Sequence, residues 1–287
     1  MSRGGASGRV HVKVDGHTLT LSNLDKPMYP DFTKGEVIDY YTRIAPVLLP
    51  HVRDRAATRV RFPEGVDAPR FYEKNAPKGT PKWVRTARVP TPEGQQEALD
   101  FVVVDDLPTL VWCANLAALE LHVPQWRVST GKTDLMVFDL DPGAPATFTQ
   151  ACMVGLLLRE LLAADGLTAY PKSSGKKGLH LYVPVAGLDT SDYAKRAAEH
   201  LEDDYGRLVT SRMERRLRTG KVFVDWSQNT ASKTTVAPYS LRALDSPTVS
   251  APLTWEEVEA GRAVRLGPER VLERVREHGD LMAPLLG

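Results

Sequence analysis

Two acidic residues, Asp139 and Asp141, carry the clearest chemistry of this sequence, because they follow the apolar run 135–138. Alternate side chains of a β-strand share one face, so the two carboxylates would lie roughly 7 Å apart. Negative charges held this close repel each other unless a cation lies between them, and divalent ions prefer oxygen ligands. The pattern indicates a metal site, although Asp-x-Asp also occurs at turns and helix caps. Sugar transferases, phosphatases and polymerases all use such a pair.

A third carboxylate, Asp225, ends a second apolar run, 222–224. Three carboxylates at the ends of neighbouring strands can bind two divalent ions about 4 Å apart, which clamps the attacking and leaving oxygens of a phosphoryl transfer. Taken alone, Asp225 is better explained as a turn residue. Its possible role depends on its meeting Asp139 and Asp141 in the fold. Pro142 is predicted to end the first strand, which places the acidic pair at the lip of a sheet.

A turn rich in glycine and lysine, residues 173–182, is the second strong signal. Its backbone N–H groups can face an anion, with the lysine charges beside them. The segment lacks the Gly-x4-Gly-Lys-[Ser/Thr] pattern of a Walker loop. Basic turns are usually solvated hairpin tips, but beside three strand-end acids a triphosphate site is the better explanation.

The composition is that of an ordinary globular protein: 287 residues, 42% hydrophobic and 25% charged, with a net charge of +1. Without a global basic field, any contact with nucleic acid must use local patches. No apolar run is long enough for a membrane span. Cys113 and Cys152 lack Cys-x-x-Cys spacing, so we expect buried thiols in a reducing cytoplasm rather than a disulfide or a zinc site.

The predicted elements alternate between hairpins and helices without a regular βαβ rhythm, which favours an α+β fold. Residues 1–9 are predicted to be a flexible leader, and residues 10–287 one domain. A hairpin is expected to turn at Asp15-Gly16, and a helix to begin after Thr33 with Glu36 completing a capping box. Other predictions include helices at 107–119 and 211–218 and a strand at 234–241.

Five segments taken together resemble one known family. They are residues 120–126, 137–142, 174–182, 224–229 and 234–242. In this order they closely resemble the polymerase domain of bacterial ligase D, which belongs to the archaeo-eukaryotic primase superfamily. The resemblance runs from about Val10 to the C-terminus. It implies a primase-polymerase fold, with two mainly antiparallel sheets and flanking helices around a central active-site cleft.

The resemblance also implies an activity: two-metal transfer of nucleotides, preferably ribonucleotides, to a 3′-hydroxyl. Asp139 and Asp141 would hold two Mn²⁺ or Mg²⁺ ions, and Asp225 would complete the catalytic one; no zinc is expected. The residues that match nucleotide-contacting positions are His122, Ser174, Lys177, His180, Gln228 and Arg242.

For DNA, the resemblance implies two further sets of residues. Asn23, Lys26 and Lys34 match a pocket for the 5′-phosphate at a gap or break. Phe71 and Tyr72 match an aromatic pair at the template strand, where the family commonly has two phenylalanines. Strand alternation by itself predicts that one of these two rings belongs to the core.

The expected role is gap filling at DNA breaks by a DNA-repair polymerase that acts with NTP or dNTP substrates in the bacterial cytoplasm, at the nucleoid. Because the sequence shows no ligase module, we expect either a stand-alone polymerase or an excised domain, which works with the end-binding protein Ku and a separate DNA ligase. Three alternatives remain at this point. They are a primase that starts chains de novo, a non-catalytic module that binds DNA ends, and a metal-dependent sugar-nucleotide transferase.

Overall fold

The computed structural model describes residues 8–91, 98–262 and 265–287. Its helices are α1 (Lys34–Val52), α2 (Leu107–Asn115), α3 (Phe148–Ala164), α4 (Thr190–Tyr205), α5 (Trp255–Glu259) and α6 (Pro268–His278). Its strands are β1 (Arg9–Val14), β2 (His17–Ser22), β3 (Pro27–Tyr29), β4 (Phe32–Thr33), β5 (Ala56–Arg61), β6 (Phe71–Glu73), β7 (Thr86–Pro90), β8 (Ala98–Val103), β9 (Ala118–Val123), β10 (Leu135–Pro142), β11 (Tyr170–Ser173), β12 (Leu179–Pro184), β13 (Val209–Thr210), β14 (Val222–Asp225), β15 (Thr235–Val236), β16 (Leu241–Arg242) and β17 (Thr248–Val249). The fold is α+β, as predicted.

Two large sheets dominate this architecture. A five-stranded sheet has the order β11-β12-β10-β14-β13, and among its described strands β13 and β14 pair in parallel while the others pair antiparallel. A six-stranded antiparallel sheet has the order β15-β9-β5-β8-β7, with β6 paired to β5. The expectation of two mainly antiparallel sheets is confirmed.

Each of the two large sheets has α-helices packed on one face. In the first core, α1 and α2 bury residues such as Ile44 and Leu110 against the six-stranded sheet, which contributes Leu119 and Leu121. In the second core, α3 and α4 cover the five-stranded sheet, where Leu140 is fully buried. Because strand side chains alternate, the residues next to Leu119 and Leu140 point away from these helices. The opposite faces therefore carry polar side chains such as Glu120 and Asp139, and at the start of β10 the same face also carries Leu135 and Val137, which pack against Met282 and Leu285.

Local signals explain where several elements begin and end. Thr33 and Glu36 form the predicted capping box at the start of α1, with Glu36 accepting from the Thr33 amide at 2.7 Å. The β1–β2 hairpin turns at Asp15 and Gly16, both of which have positive φ, as predicted. Of the predicted leader, residues 1–7 lie outside the described residues, and Arg9 is the first residue of β1.

Three predicted elements differ in the structure. The helix predicted at 211–218 is wrong: residues 212–217 are exposed, and only a 3-10 turn, Arg215–Leu217, forms there. An apolar stripe that could dock a helix is missing from this arginine-rich run. The helix predicted at 107–119 ends at Asn115, because Ala117 has φ 60° and β9 begins at Ala118. The strand predicted at 234–241 is split around Pro238 and Tyr239, which has φ 65°.

Among the described residues, no helix is both long enough and apolar enough to cross a bilayer.

Candidate active site

The acidic pair lies on the central strand of the five-stranded sheet. Asp139 and Asp141 are partly exposed, whereas Leu140 between them is fully buried, so the two carboxylates share one face as predicted. The prediction that Pro142 ends the strand, and so leaves the acidic pair at the lip of the sheet, is only partly correct. Pro142 still belongs to β10 and pairs with Val222. Asp139 is flanked on both sides, by His180 of β12 and by Asp225 of β14.

The register therefore brings the third acid next to the pair. Asp225 is directly opposite Asp139 across the antiparallel β10–β14 ladder, and facing residues of such a ladder project to the same side. In the structure its carboxylate accepts hydrogen bonds from the Ser227 amide at 3.0 Å, the Ser227 hydroxyl at 2.6 Å and the Gln228 amide group at 2.8 Å. Gln228, predicted to contact the nucleotide, thus holds Asp225 in place.

Asp139 contacts His180, which in turn contacts Lys172, so two buried basic side chains lie in a row behind the carboxylate. His180 lies with Nε2 3.2 Å from Asp139 Oδ1. On its other side, Lys172 Nζ lies 2.9 Å from His180 Nδ1 and 2.6 Å from Ser250 Oγ. The Asp139 carboxylate only accepts, so Nε2 of His180 carries the proton that faces it, and Nδ1 of the neutral ring accepts from Lys172 Nζ. No pattern of neighbouring residues singles out Lys172, whose role depends on this buried contact with His180.

Burial is the largest influence on the pKa values of His180, Lys172 and Asp139. Burial and the Lys172 charge lower the pKa of His180 to about 4, which keeps the imidazole neutral. Burial and the Arg242 charge lower the pKa of Lys172 well below its ordinary value. Burial raises the pKa of Asp139, but His180, Lys172 and Arg242 outweigh it and leave the pKa below its usual value. Asp139 is therefore ionised at neutral pH, as a metal-binding carboxylate must be.

The glycine and lysine turn reaches the same face. Lys177 Nζ lies 2.9 Å from Asp141 Oδ1 and donates to the Pro142 carbonyl at 2.9 Å. The Ser174 hydroxyl accepts from the Lys176 amide at 3.2 Å and from the Gly178 amide at 3.0 Å, so it shapes the turn. A Cβ on Gly178 would lie 2.6 Å from the Leu140 carbonyl oxygen. Glycine is needed here because the turn rests directly on the strand between the two aspartates.

A cavity of about 520 Å³ opens beside this turn. Its lining includes three cationic side chains, Lys176, Lys177 and Arg265, together with Thr147 at the start of α3. Three positive charges in the lining of one cavity suit a phosphate-bearing molecule.

The remaining nucleotide candidates converge on a residue that the sequence did not single out, Glu120. This buried carboxylate lies 2.8 Å from His122 Nε2 and 3.3 Å from Arg242 Nε, and its Oε1 lies 3.7 Å from Lys176 Nζ. Burial raises its pKa, but the hydrogen bond from His122 and the charge of Arg242 lower it to about 2. The available signal was the acid at i−2 from His122, since strand residues two apart share a face.

The three residues predicted to bind a 5′-phosphate are brought together by a turn. The Lys26 amide donates to the Asn23 carbonyl, and the Lys34 amide to the Lys26 carbonyl. Lys26 pairs with the exposed Glu64 at 2.7 Å, while the buried Lys34 donates to the Ser22 carbonyl at 2.7 Å. Burial and the charges of Lys26 and Arg61 lower the pKa of Lys34 to about 8.

Phe71 and Tyr72 lie on the edge strand β6, and both rings are exposed, at 58% and 60%. The prediction that one of them belongs to the core is wrong, because among the described strands β6 pairs only with β5 and both rings remain exposed. The strand is fastened by Glu73, which lies 2.7 Å from Arg61 and 3.3 Å from the buried Arg59. As consecutive strand residues the two rings project to opposite sides of β6, and together they make up an exposed aromatic platform.

The carboxylates fit a divalent ion by donor type, since aspartate oxygens are the ligands that Mg²⁺ and Mn²⁺ prefer. Asp139, Asp141 and Asp225 share one face, and each keeps part of its surface exposed. As the side chains stand, the described residues contain no cluster of three or more His, Cys, Asp or Glu groups arranged around a common ion position. Each carboxylate instead has a protein partner: His180, Lys177, or Ser227 with Gln228.

Comparison with known proteins agrees with this geometry. The family described as "LigD, primase-polymerase domain" matches residues 33–282. The multifunctional non-homologous end joining protein LigD of Mycolicibacterium smegmatis is 44% identical over 276 residues, covering 93% of this chain and 36% of that protein. The bifunctional LigD of Bacillus subtilis is 32% identical over 277 residues, covering 94% of this chain and 44% of that protein. The chain thus spans less than half the length of these relatives.

The fold has a solved counterpart. The polymerase domain of Mycobacterium tuberculosis ligase D, determined in complex with DNA, superimposes with a TM-score of 0.88 at 43% identity. The match covers 93% of this chain and 98% of that one. From the family match, the identity of these relatives and the shared fold, the chain belongs to the LigD primase-polymerase domain family of nucleotidyltransferases.

Proposed function

We propose that this protein is a template-directed repair polymerase that fills short gaps at DNA breaks. It transfers nucleotides, preferably ribonucleotides, to a 3′-hydroxyl and recognises the 5′-phosphate across the gap. The observation that carries this proposal is the meeting of Asp139, Asp141 and Asp225 on one sheet face, beside a turn that carries lysines. Few chemistries need three acids next to a phosphate-binding turn, and metal-assisted phosphoryl transfer is the one that uses all of them.

Asp139 and Asp141 would hold two Mn²⁺ or Mg²⁺ ions, and Asp225 would complete the set around the catalytic one. Such ions supply Lewis acidity at the phosphate and a more acidic 3′-hydroxyl. The protein fixes the carboxylates: His180 orients Asp139, while Ser227 and Gln228 orient Asp225. Rigid placement of this kind removes the reorganisation that the reaction would otherwise require.

For the nucleoside triphosphate, we assign the turn and the Glu120 cluster. Lys177 lies beside Asp141, where its charge would balance the triphosphate, while the Ser174 hydroxyl holds the turn in shape. His122 and Arg242 lie around Glu120, which Lys176 of the same turn also approaches. These groups are the candidates for contact with the sugar and the phosphates, and a sugar 2′-hydroxyl contact would explain a preference for ribonucleotides.

For DNA, we assign the platform of Phe71 and Tyr72 to the template strand and the residues Asn23, Lys26 and Lys34 to the 5′-phosphate. Exposed rings stack on bases without regard to sequence, at about 1–3 kcal/mol per base. Clustered lysines bind phosphate in the same sequence-independent way. This combination suits an enzyme that meets arbitrary broken ends.

The names of the relatives supply the setting of the proposal. They are non-homologous end joining proteins, and the solved counterpart holds DNA. We therefore propose broken or gapped DNA as the substrate, with Ku and a DNA ligase as the partner activities, in the bacterial cytoplasm at the nucleoid.

The testing experiment is primer extension on a duplex with a short gap, in Mn²⁺. Ribonucleotides are compared with deoxyribonucleotides, and a 5′-phosphate at the far side of the gap with a 5′-hydroxyl. Extension that favours the ribonucleotide and the phosphate is the expected result. Binding that depends on the phosphate without any extension would indicate a non-catalytic end-binding module, and synthesis on single-stranded DNA without a primer would indicate a primase.

A further inference from the structure

One buried carboxylate, Glu120, joins three separate segments of the cleft. It lies on β9 of the six-stranded sheet, next to His122 on the same strand. Lys176 approaches it from the β11–β12 turn of the five-stranded sheet, and Arg242 from β16. It is therefore a direct link between the two sheets at the place where the nucleotide is proposed to bind.

The contacts leave Glu120 little freedom. Oε1 accepts from the Ala243 amide at 3.0 Å and lies 3.3 Å from Arg242 Nε and 3.7 Å from Lys176 Nζ. Oε2 lies 2.8 Å from His122 Nε2. Only 6% of the Glu120 side chain is exposed. A carboxylate buried to this extent is stable because its basic partners surround it.

The positions of Arg242 and Lys176 in turn depend on the negative charge of Glu120. Only 10% of the Arg242 side chain is exposed, and Nε of Arg242 has no hydrogen-bond partner among the described residues. Arg242 and Lys176 repel each other, and the Arg242 charge contributes to a lowered pKa of Lys176 after the effect of burial. Without the carboxylate between them, these two cations would separate.

Glu120 also sets the tautomer of His122. A carboxylate only accepts, so Nε2 of His122 carries the proton that faces it. Nδ1 is then left as the acceptor of a neutral ring. Replacing the carboxylate by an amide would place N–H groups opposite Nε2 and would favour the other tautomer.

We infer that Glu120 is a positioning residue for nucleotide binding, which holds Lys176 of the turn and Arg242 at one spacing and His122 in one tautomer. It acts through these side chains and does not itself touch the nucleotide, whose phosphates it would repel. The inference rests on the proposed function, since it assigns how the same cleft is organised for its triphosphate.

The test compares Glu120→Gln and Glu120→Asp with the unaltered protein. GTP affinity is measured by titration calorimetry in Mn²⁺, and the KM for GTP is measured by extension across a one-nucleotide gap. We expect Glu120→Gln to weaken GTP binding and raise KM by about tenfold or more, the usual loss when a hydrogen-bonded charge is removed. Because Glu120→Asp keeps the charge, it should recover part of this loss, and kcat should change less than KM.

The matched control is Asp280→Asn. Asp280 is a partly buried carboxylate, 12% exposed, that likewise meets a histidine Nε2 at 2.8 Å, that of His51, and accepts from a backbone amide at 2.9 Å, that of Met282. It lies outside the proposed site. We expect Asp280→Asn to lower the melting temperature while the KM for GTP stays unchanged, which separates loss of stability from loss of positioning.

Two further readouts report on positioning itself. The ¹⁵N chemical shifts of the His122 ring should show the Nε2–H tautomer in the unaltered protein and a change in Glu120→Gln. In a double-mutant cycle, Glu120→Gln should have a smaller effect in the Lys176→Met background, because the two residues act together. An unchanged GTP affinity in Glu120→Gln, or fully additive effects, would overturn the inference. Absence of extension by the unaltered protein would instead refute the proposed function, and calorimetry would still decide the role of Glu120.

Discussion

The two polar regions of this protein handle charge in opposite ways. In the acidic centre, formed by Asp139, Asp141 and Asp225, every carboxylate already has a protein partner. In the cationic rim, formed by Lys26, Lys34 and Arg61, the charges crowd one another, and burial together with Lys26 and Arg61 lowers the pKa of Lys34 to about 8.

The difference indicates two kinds of binding. The acidic centre is held in position before any substrate arrives, which favours chemistry that needs fixed geometry. The cationic rim carries positive charge that its own acids balance only in part, so an anion that arrives there relieves repulsion. A rim of this kind favours affinity for phosphate over precise alignment.

The largest expected effect follows from neutralising the acidic centre. Asp139→Asn keeps the shape of the side chain but removes the charge, and we expect extension to fall by about 10³-fold or more because metal-assisted stabilisation is worth several kcal/mol. We expect Asp225→Asn to lower extension to a similar extent. Asp165→Asn, a surface change at the end of α3, is the control. Retained extension in either active-site variant would refute the metal assignment.

A second variant tests whether the activity of the acidic centre depends on Lys172, which contacts His180 on the side away from Asp139. Lys172→Met removes the buried amine that holds His180, and loss of such a supporting contact typically lowers activity by about 10–100-fold. The variant also leaves His180 Nδ1 and the Ser250 hydroxyl without the donor they accept from, which costs about 1–3 kcal/mol, so the melting temperature should fall. At a temperature where the variant is fully folded, the extension rate should still be lower than that of the unaltered protein. An unchanged rate in the folded variant would show that Lys172 serves folding alone.

The platform beside the cationic rim should show a smaller effect on binding. Phe71→Ala removes one exposed ring, so we expect the affinity for a single-stranded template overhang to fall by about tenfold, as for the loss of one stacked base. The melting temperature should not change, because the ring is 58% exposed. Tyr72→Phe, which keeps the ring, should bind like the unaltered protein. A large drop in melting temperature for Phe71→Ala would contradict the platform.

The smallest effect expected is a pH dependence of the cationic rim. A lysine with a pKa of about 8 loses its proton as the pH rises from 7 to 9, whereas an ordinary lysine stays charged to about pH 10. The affinity advantage of a 5′-phosphate over a 5′-hydroxyl should therefore decline a few-fold across this range. Arginine stays charged, so Lys34→Arg should flatten the decline. An equal decline in both proteins would exclude Lys34 as the titrating group.

Much of the acidic centre could be predicted because strand periodicity is a local property. The alternation around Asp139, Leu140 and Asp141 determined which side chains share a face, and the structure agrees. The capping box at Thr33 and the hairpin at Asp15 are likewise encoded by adjacent residues. A structural feature can be predicted from sequence when the residues that determine it lie within a few positions of one another.

The rest depends on contacts between distant segments. Lys172 and Glu120 owe their roles to burial beside His180 and Arg242, which no spacing along the chain reveals. Both aromatic rings of β6 are exposed because that strand lies at a sheet edge, a fact of topology. The arginine-rich run 212–217 has few apolar side chains, and its failure to form a helix shows that a docking face matters more than propensity.

The C-terminal segment has a consequence for how the protein opens. Met282 and Leu285 pack with Leu135 and Val137, so the last 3-10 turn, Ala283–Leu286, backs the strand that carries Asp139. Asp280 fastens the segment to His51 of α1 and to Tyr239. We expect the segment and β10 to belong to one cooperative unit in native-state hydrogen exchange. Amide protons of β10 would then exchange with solvent when the C-terminal segment opens. The protection of the catalytic strand is therefore set partly by residues remote from it in sequence.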